Sequence, residues 1–144
     1  MIGTASLARH DLLRELGAVP VAYGPGLADR VRAVVPGGPD ASLDLAGTPE
    51  AVDVSVELTR NRNRIVTIVM SPRSRELGIR TLGGGPGADP GTEVRAAARP
   101  QLAALAGEGR LRVIVAGTFP LAEAVAAHRE IMAGHTTGKI ALLP

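Results

Sequence analysis

Residues 64–70 read Arg64-Ile65-Val66-Thr67-Ile68-Val69-Met70, and the character of this stretch decides the fold. Strict apolar–polar alternation marks a strand with one wet face, whereas a nearly unbroken apolar run of this length marks a strand covered on both faces, as in a parallel sheet. Parallel strands need crossover connections, so helical patterns should flank it. Upstream, Thr48-Pro49-Glu50 supplies an N-cap, a proline at the first helical position and an acid facing the positive helix end, opening a helix that should reach about Leu58. Before it, Ser42-Leu43-Asp44-Leu45-Ala46, closed by Gly47, reads as another strand. Downstream, a short segment at 72–77 leads to a strand at 79–82. Nearer the start, residues 1–4 read as the end of a strand, Ser6 as a helix N-cap, and Leu12, Leu13 and Leu16 as a helical stripe stopped by Gly17. Residues 19–23 form a strand, and Leu27, Val31, Val34 and Val35 mark the helix after it. Beyond a Gly/Pro loop at 83–91, residues 92–106 are helical, with Pro100 ending or kinking the helix. A strand at 112–115, a helix opened by Pro120 and a strand over Lys139–Leu143 complete an α/β alternation.

The chain has 144 residues, 45% of them apolar and 21% charged, which suits one globular domain rather than a disordered chain. No apolar run is long enough to span a bilayer, and residues 1–4 carry no charged segment leading into an apolar one, so a cytoplasmic protein is expected, with no membrane partner. There are no cysteines, hence no disulfide and no thiolate zinc site. The aromatics are Tyr23 and Phe119, too few for base-stacking platforms. A pI near 9.9 suggests a nucleic-acid partner, but the net charge is only +2. Lys139 is the one lysine among the basic residues, so almost nothing titrates until very high pH. The densest basic stretch, Arg60-Asn61-Arg62-Asn63-Arg64 followed by Arg73 and Arg75, reads as a solvated turn, and no nucleic-acid partner is assigned.

Gly83-Gly84-Gly85-Pro86-Gly87 invites a phosphate-loop reading, yet such a loop must lead directly into a helix N-terminus, and Pro86 and Pro90 intervene. A mobile surface loop is the expectation. His10, His128 and His135 have no metal-ligand spacing, and a Ser6, Asp44, His128 triad lacks a nucleophile elbow. Asp44, inside an apolar strand, must be paired if buried, and local backbone amides are its expected partners. Thr4-Ala5-Ser6, ahead of Arg9, has the chemistry of an adenosine-ribose pocket. No acid lies between Met1 and His10 to bind ribose hydroxyls, while hydroxyls plus a guanidinium suit a 2′-phosphate. By pattern alone, Ser6 as a cap and Arg9 as a solvated side chain is the simpler alternative.

Thr4-Ala5-Ser6, His10-Asp11 and Gly17-Ala18 resemble the second unit of the medium-chain dehydrogenase/reductase superfamily, as does Leu43-Asp44-Leu45-Ala46-Gly47. The ending is more specific: Phe119-Pro120-Leu121-Ala122-Glu123-Ala124, Ala127-His128 and Gly134-His135-Thr136-Thr137-Gly138-Lys139-Ile140 resemble the C-terminal part of quinone-oxidoreductase-like, zinc-binding-dehydrogenase-type proteins. The resemblance spans essentially the whole chain. It implies an NADPH-dependent reductase of quinones, enones or similar activated carbonyl compounds, with NADPH (NADP) as cofactor. Ser6 and Arg9 would meet the 2′-phosphate beside Thr4, Tyr23 would lie near the adenine, Gly47, Thr48, Val69 and Met70 would flank the cofactor, and Lys139 would approach it from the closing segment. No residue is given a catalytic or metal-binding role. Homodimers through the edge strand at 79–82 are expected.

In the superfamily a Gly-rich turn belongs to the first strand–helix unit, and the residues here begin after it. The expected fold is therefore an incomplete Rossmann-like, doubly wound sheet, mostly parallel, lacking that unit. In strand order 3-2-1-4-5-6 the absent strand leaves a gap between residues 1–4 and 42–46. Residues 1–109 would be the partial dinucleotide-binding domain, and 110–144 a strand–helix–strand segment that packs on a catalytic domain elsewhere. Activity would then need a complementing N-terminal chain. The alternative is a non-catalytic dinucleotide-binding or regulatory subunit.

Overall fold

Ile65 and Thr67 are fully buried in strand β4 (Ile65–Thr67), which forms the centre of a three-stranded parallel sheet in the computed structural model, where residues 1–134 and 136–144 are described. β3 (Ser42–Asp44) lies on one side of it and β5 (Arg80–Thr81) on the other, so the order is β3-β4-β5. The register pairs Ser42 with Ile65, Leu43 with Val66 and Asp44 with Thr67. Side chains alternate across a sheet, so Ser42, Asp44, Ile65 and Thr67 share one face. Helix α3 (Pro49–Leu58) covers that face: Val52 and Val56 pack with Ile65, Ile79 and Leu77, and the hydroxyls of Ser42 and Ser55 meet at 2.7 Å. The opposite face carries Leu43, Leu45 and Ile68, which are 61%, 62% and 53% exposed. The apolar run was expected to be covered on both faces, and residues 1–91 cover one. β4 is also shorter than its apolar run, because the chain turns away after Thr67.

β1 (Ile2–Ala5) and β2 (Val19–Ala22) form a separate parallel pair, joined through α1 (His10–Glu15). Gly17, at φ 78°, ends α1, with Ala18 N donating to Leu13 O at 2.9 Å, the bond pattern of a glycine-stopped helix. Ser6 precedes a 3-10 turn (Leu7–Arg9), but its hydroxyl makes no capping bond. The turn closes through its backbone, Arg9 N to Ser6 O at 2.9 Å, which leaves the expected cap without a task. Among the described residues no ladder joins β1 to β3, so the sheet is interrupted where the strand order required a gap.

The two strand groups share α3. Its Val54 and Leu58 pack with Val21, Leu27 and Val31, the last two from α2 (Leu27–Val34), while Val52 and Val56 serve the other core. Positions two apart are about 200° apart on a helix, so the alternating valines of 52–58 form two opposed apolar stripes. Thr48 caps α3, its hydroxyl accepting from Ala51 N at 3.2 Å, and Ser71 caps α4 (Pro72–Glu76) in a reciprocal box with Ser74.

The chain divides into two compact units, Met1–Gly91 and Thr92–Pro144. Helix α5 (Thr92–Gly107) therefore groups with the C-terminal segment, whereas the sequence placed the boundary at 109/110; the Gly/Pro-rich loop at 83–91, with little side chain to pack, makes the actual break. α5 runs through Pro100 rather than ending there. In this unit β6 (Val115–Pro120) pairs in parallel with β7 (Lys139–Leu143) across α6 (Ala124–Ala133). β6 begins where the strand read at 112–115 should end. Pairing from Val115–Lys139 to Pro120–Leu143 selects the less apolar Val115–Pro120 segment. His135 lies outside the described residues.

Candidate functional site

Seven of the nine residues singled out from sequence follow the carboxyl ends of parallel strands in the first unit, and an eighth lies in the last two residues of one. Thr4 sits at the end of β1, and Ser6 and Arg9 lie one turn apart behind it. The Ser6 hydroxyl, free of capping, and the partly buried Arg9 thus belong to one short turn. Tyr23 follows β2 and is 60% exposed. Its loop is held by Arg30, whose guanidinium donates to Ala22 O at 2.9 Å, Pro25 O at 2.8 Å and Gly24 O at 2.6 Å. Gly24 N also donates to Glu50 Oε2 at 2.9 Å, tying the end of β2 to the helix that follows β3.

Asp44 builds the loop after β3. Its Oδ1 accepts from Ala46 N at 3.0 Å and Gly47 N at 2.9 Å, and its Oδ2 from Thr67 Oγ1 at 2.8 Å. The expected satisfaction by local amides is observed, with a cross-strand hydroxyl added. Thr67 Oγ1 in turn accepts from Val69 N at 3.0 Å, so the ends of β3 and β4 are shaped together. Gly47 has φ 68°, and a Cβ there would lie 2.3 Å from Val69 Cγ1. The two loops approach so closely that only glycine fits. Thr48 is exposed with its oxygen turned to the α3 cap, and Val69 and Met70 are partly buried.

The Gly83–Gly87 stretch, expected to be a mobile surface loop, is tied at its base. Gly83 N donates to Asp89 O at 3.0 Å, Asp89 N to Thr81 O at 2.8 Å, and Arg80 pairs with the Asp89 carboxylate at 2.5 Å. A Cβ on Gly85 would meet Met70 Cε at 3.2 Å, so the loop borders the end of β4. Lys139 opens β7 in the second unit, exposed, its backbone N bonded to Ile114 O at 2.8 Å. His10 Nε2 is buried without a hydrogen-bond partner among the described residues.

Arg30, Glu50 and Thr67 were missed as organisers of these loops. Thr67 alone carried a signal: it is the polar residue in the apolar run, and the parallel register sets it beside Asp44. Arg30 and Glu50 act across 8 and 26 residues, spacings that no local pattern marks. No helix among the described residues is long and apolar enough to cross a membrane.

The fold is an α/β one with parallel strands, consistent with part of a Rossmann-like sheet. A family model described as zinc-binding dehydrogenase matches residues 16–142, and the chain belongs to that family, within the medium-chain dehydrogenase/reductase superfamily. Among solved structures it is similar to mycobacterial Rv1454c complexed with NADPH (24% identity, TM-score 0.70, covering 99% of this chain and 48% of that one). It is similar also to the CurK enoyl reductase (19%, TM-score 0.69, 99% and 47%) and to an NAD-dependent alcohol dehydrogenase (23%, TM-score 0.72, 99% and 43%). At these identities the likeness is one of fold. The chain spans about half the length of these structures. No curated protein matches it. The family description names zinc, but among the described residues no three His, Asp or Glu side chains come together to hold a metal.

Proposed function

We propose that this chain is the nucleotide-binding part of an NADPH-dependent oxidoreductase acting on quinones, enones or similar electron-poor carbonyl compounds. The observation that carries the proposal is the gathering of Thr4, Ser6, Arg9, Tyr23, Gly47, Thr48, Val69 and Met70 behind the carboxyl ends of parallel strands, where open α/β sheets take their ligands. The residues fit the cofactor: the uncapped Ser6 hydroxyl and the Arg9 guanidinium suit a 2′-phosphate, and no carboxylate stands at the end of β1 to favour a ribose 2′-hydroxyl. Tyr23, exposed beside the Arg30-held loop, offers a ring face for the adenine. The Asp44–Thr67 pair fixes the close approach of Gly47 to Val69, giving a firm wall for the rest of the dinucleotide. When bound, NADPH supplies the hydride.

The interruption between β1 and β3 and the uncovered Leu43, Leu45 and Ile68 call for a strand–helix unit from outside residues 1–144, in the same polypeptide or another. Pairing of two copies through β5 meets an obstacle, since Asp89 bridges to Leu82 at the carboxyl end of that edge. Calorimetric titration with NADPH and NADH, with and without a complementing N-terminal half, tests the proposal. NADPH should bind more tightly, and Arg9→Ala should weaken NADPH by about 1.5–3 kcal/mol while sparing NADH. Equal losses for both would remove Arg9 from the phosphate site. Binding without turnover in the complemented protein would favour the non-catalytic subunit.

A further inference from the structure

We propose that residues 37–40 and 60–64 form a second ligand site, for a small phosphorylated polyol, at the amino-terminal ends of β3 and β4. A cleft of about 460 Å³ lies there, with Gly37, Gly38 and Asp40 on one wall and Arg60, Asn61 and Arg64 on the other. This volume suits a small metabolite. The cleft precedes β3 and β4, whereas Gly47, Thr48, Val69 and Met70 follow them, so these residues and the cleft lie at opposite ends of the β3-β4-β5 sheet.

The basic run from Arg60 to Arg75 is not one uniform solvated turn. Arg73 is committed to Asp53 at 2.7 Å and Glu76 at 2.8 Å, which raise its already high pKa. Arg62 donates to Leu77 O at 3.3 Å. The Arg60 and Arg64 guanidiniums have neither an ion-pair nor a hydrogen-bond partner among the described residues, and both line the cleft. Asn61 Oδ1 accepts from Asn63 N at 3.0 Å, which fixes the amide and leaves its NH₂ to donate. The opposite wall is held close to α3 by Gly38, at φ 78°, where a Cβ would lie 2.4 Å from Leu58 O. At Gly37 a Cβ would meet nothing within 4 Å, so no side chain fills the space.

Two guanidinium forks and an amide offer more donors than one carboxylate can accept, and they match the oxygens of a phosphate. Asp40, across the cleft, repels bare phosphate but accepts from a hydroxyl. Phosphate at one wall and a hydroxyl at the other describe a sugar phosphate or a shorter phosphorylated polyol.

The test is titration of the ¹⁵N-labelled full chain with glycerol 3-phosphate, with inorganic phosphate as comparator. Amide signals of Gly37, Gly38, Asp40 and 60–64 should shift while those of 4–9 and 47–48 stay in place. Arg60→Gln and Arg64→Gln should each weaken glycerol 3-phosphate about tenfold with the melting temperature unchanged. Asp40→Asn should erase the preference for glycerol 3-phosphate over phosphate. Shifts confined to the dinucleotide residues, or arginine variants that bind as before, would overturn the site. So would a single-stranded oligonucleotide that perturbs the whole 60–75 run with steep salt dependence, because the run would then serve a polymer.

Discussion

At Asp44 a carboxylate inside a short strand meets two backbone amides and the Thr67 hydroxyl, and the geometry of the neighbouring loop follows from those three bonds. Asp44→Ala should cost about 1–3 kcal/mol in urea unfolding, because Ala46 N and Gly47 N lose their acceptor and the buried Thr67 hydroxyl keeps only the Val69 carbonyl, at 3.1 Å. Thr67→Val should also cost about 1–3 kcal/mol, because it leaves the two amide bonds of Asp44 in place but removes the hydroxyl that donates to Asp44 Oδ2 and accepts from Val69 N, with little change of volume. Gly47→Ala combines a left-handed backbone, worth about 1–2 kcal/mol, with a collision at Val69. Adding Val69→Ala should recover only the part of the collision due to the γ-carbons, since Val69 Cβ itself lies 2.5 Å from the added carbon, and should leave the backbone part. A double-mutant cycle separates the two, and strict additivity would show that the close approach does not matter. At this scale the sequence was legible where a residue acts on its near neighbours. Asp44 was read as satisfied by local amides because those lie two and three residues away. Ser6 and Arg9 could be grouped because one short turn holds them. The Gly24–Glu50 bond was invisible because tertiary packing, not spacing, brings its partners together.

Among the elements, α3 and the loop after β2 show how far local pattern reaches. The alternation Val52, Val54, Val56, Leu58 is that of a strand, yet Thr48-Pro49 starts a helix, and two opposed cores make use of the alternation. Thr48→Ala should cost about 1 kcal/mol through the lost cap. Arg30→Ala should speed amide exchange at 22–24 and 26 without melting α2, since the guanidinium holds carbonyls of the loop rather than the helix core. Melting of α2 together with the loop would show that Arg30 supports the whole crossover. β6 was misplaced because its Ala, Gly, Thr and Pro give no apolar run, and pairing with β7 fixes it instead. Ser6 was misread as a cap because the backbone of the 3-10 turn satisfies itself.

For the whole molecule, the gap between β1 and β3 was anticipated from strand order, and the ladders stop there. The boundary between units was not, because a Gly/Pro loop separates by lacking side chains rather than by any motif. Full cover of Leu43, Leu45 and Ile68, which are 53–62% exposed, should add about 1–2 kcal/mol for each side chain. Chemical denaturation of residues 1–144, alone and joined to a complementing strand–helix unit, measures this gain. An unchanged midpoint would mean that the added unit docks elsewhere. A helix that belongs equally to two cores also sets how the first unit comes apart. Loss of α3 would release the β1–β2 layer and the β3–β5 layer in one step, so limited proteolysis should find little between an intact unit and its fragments.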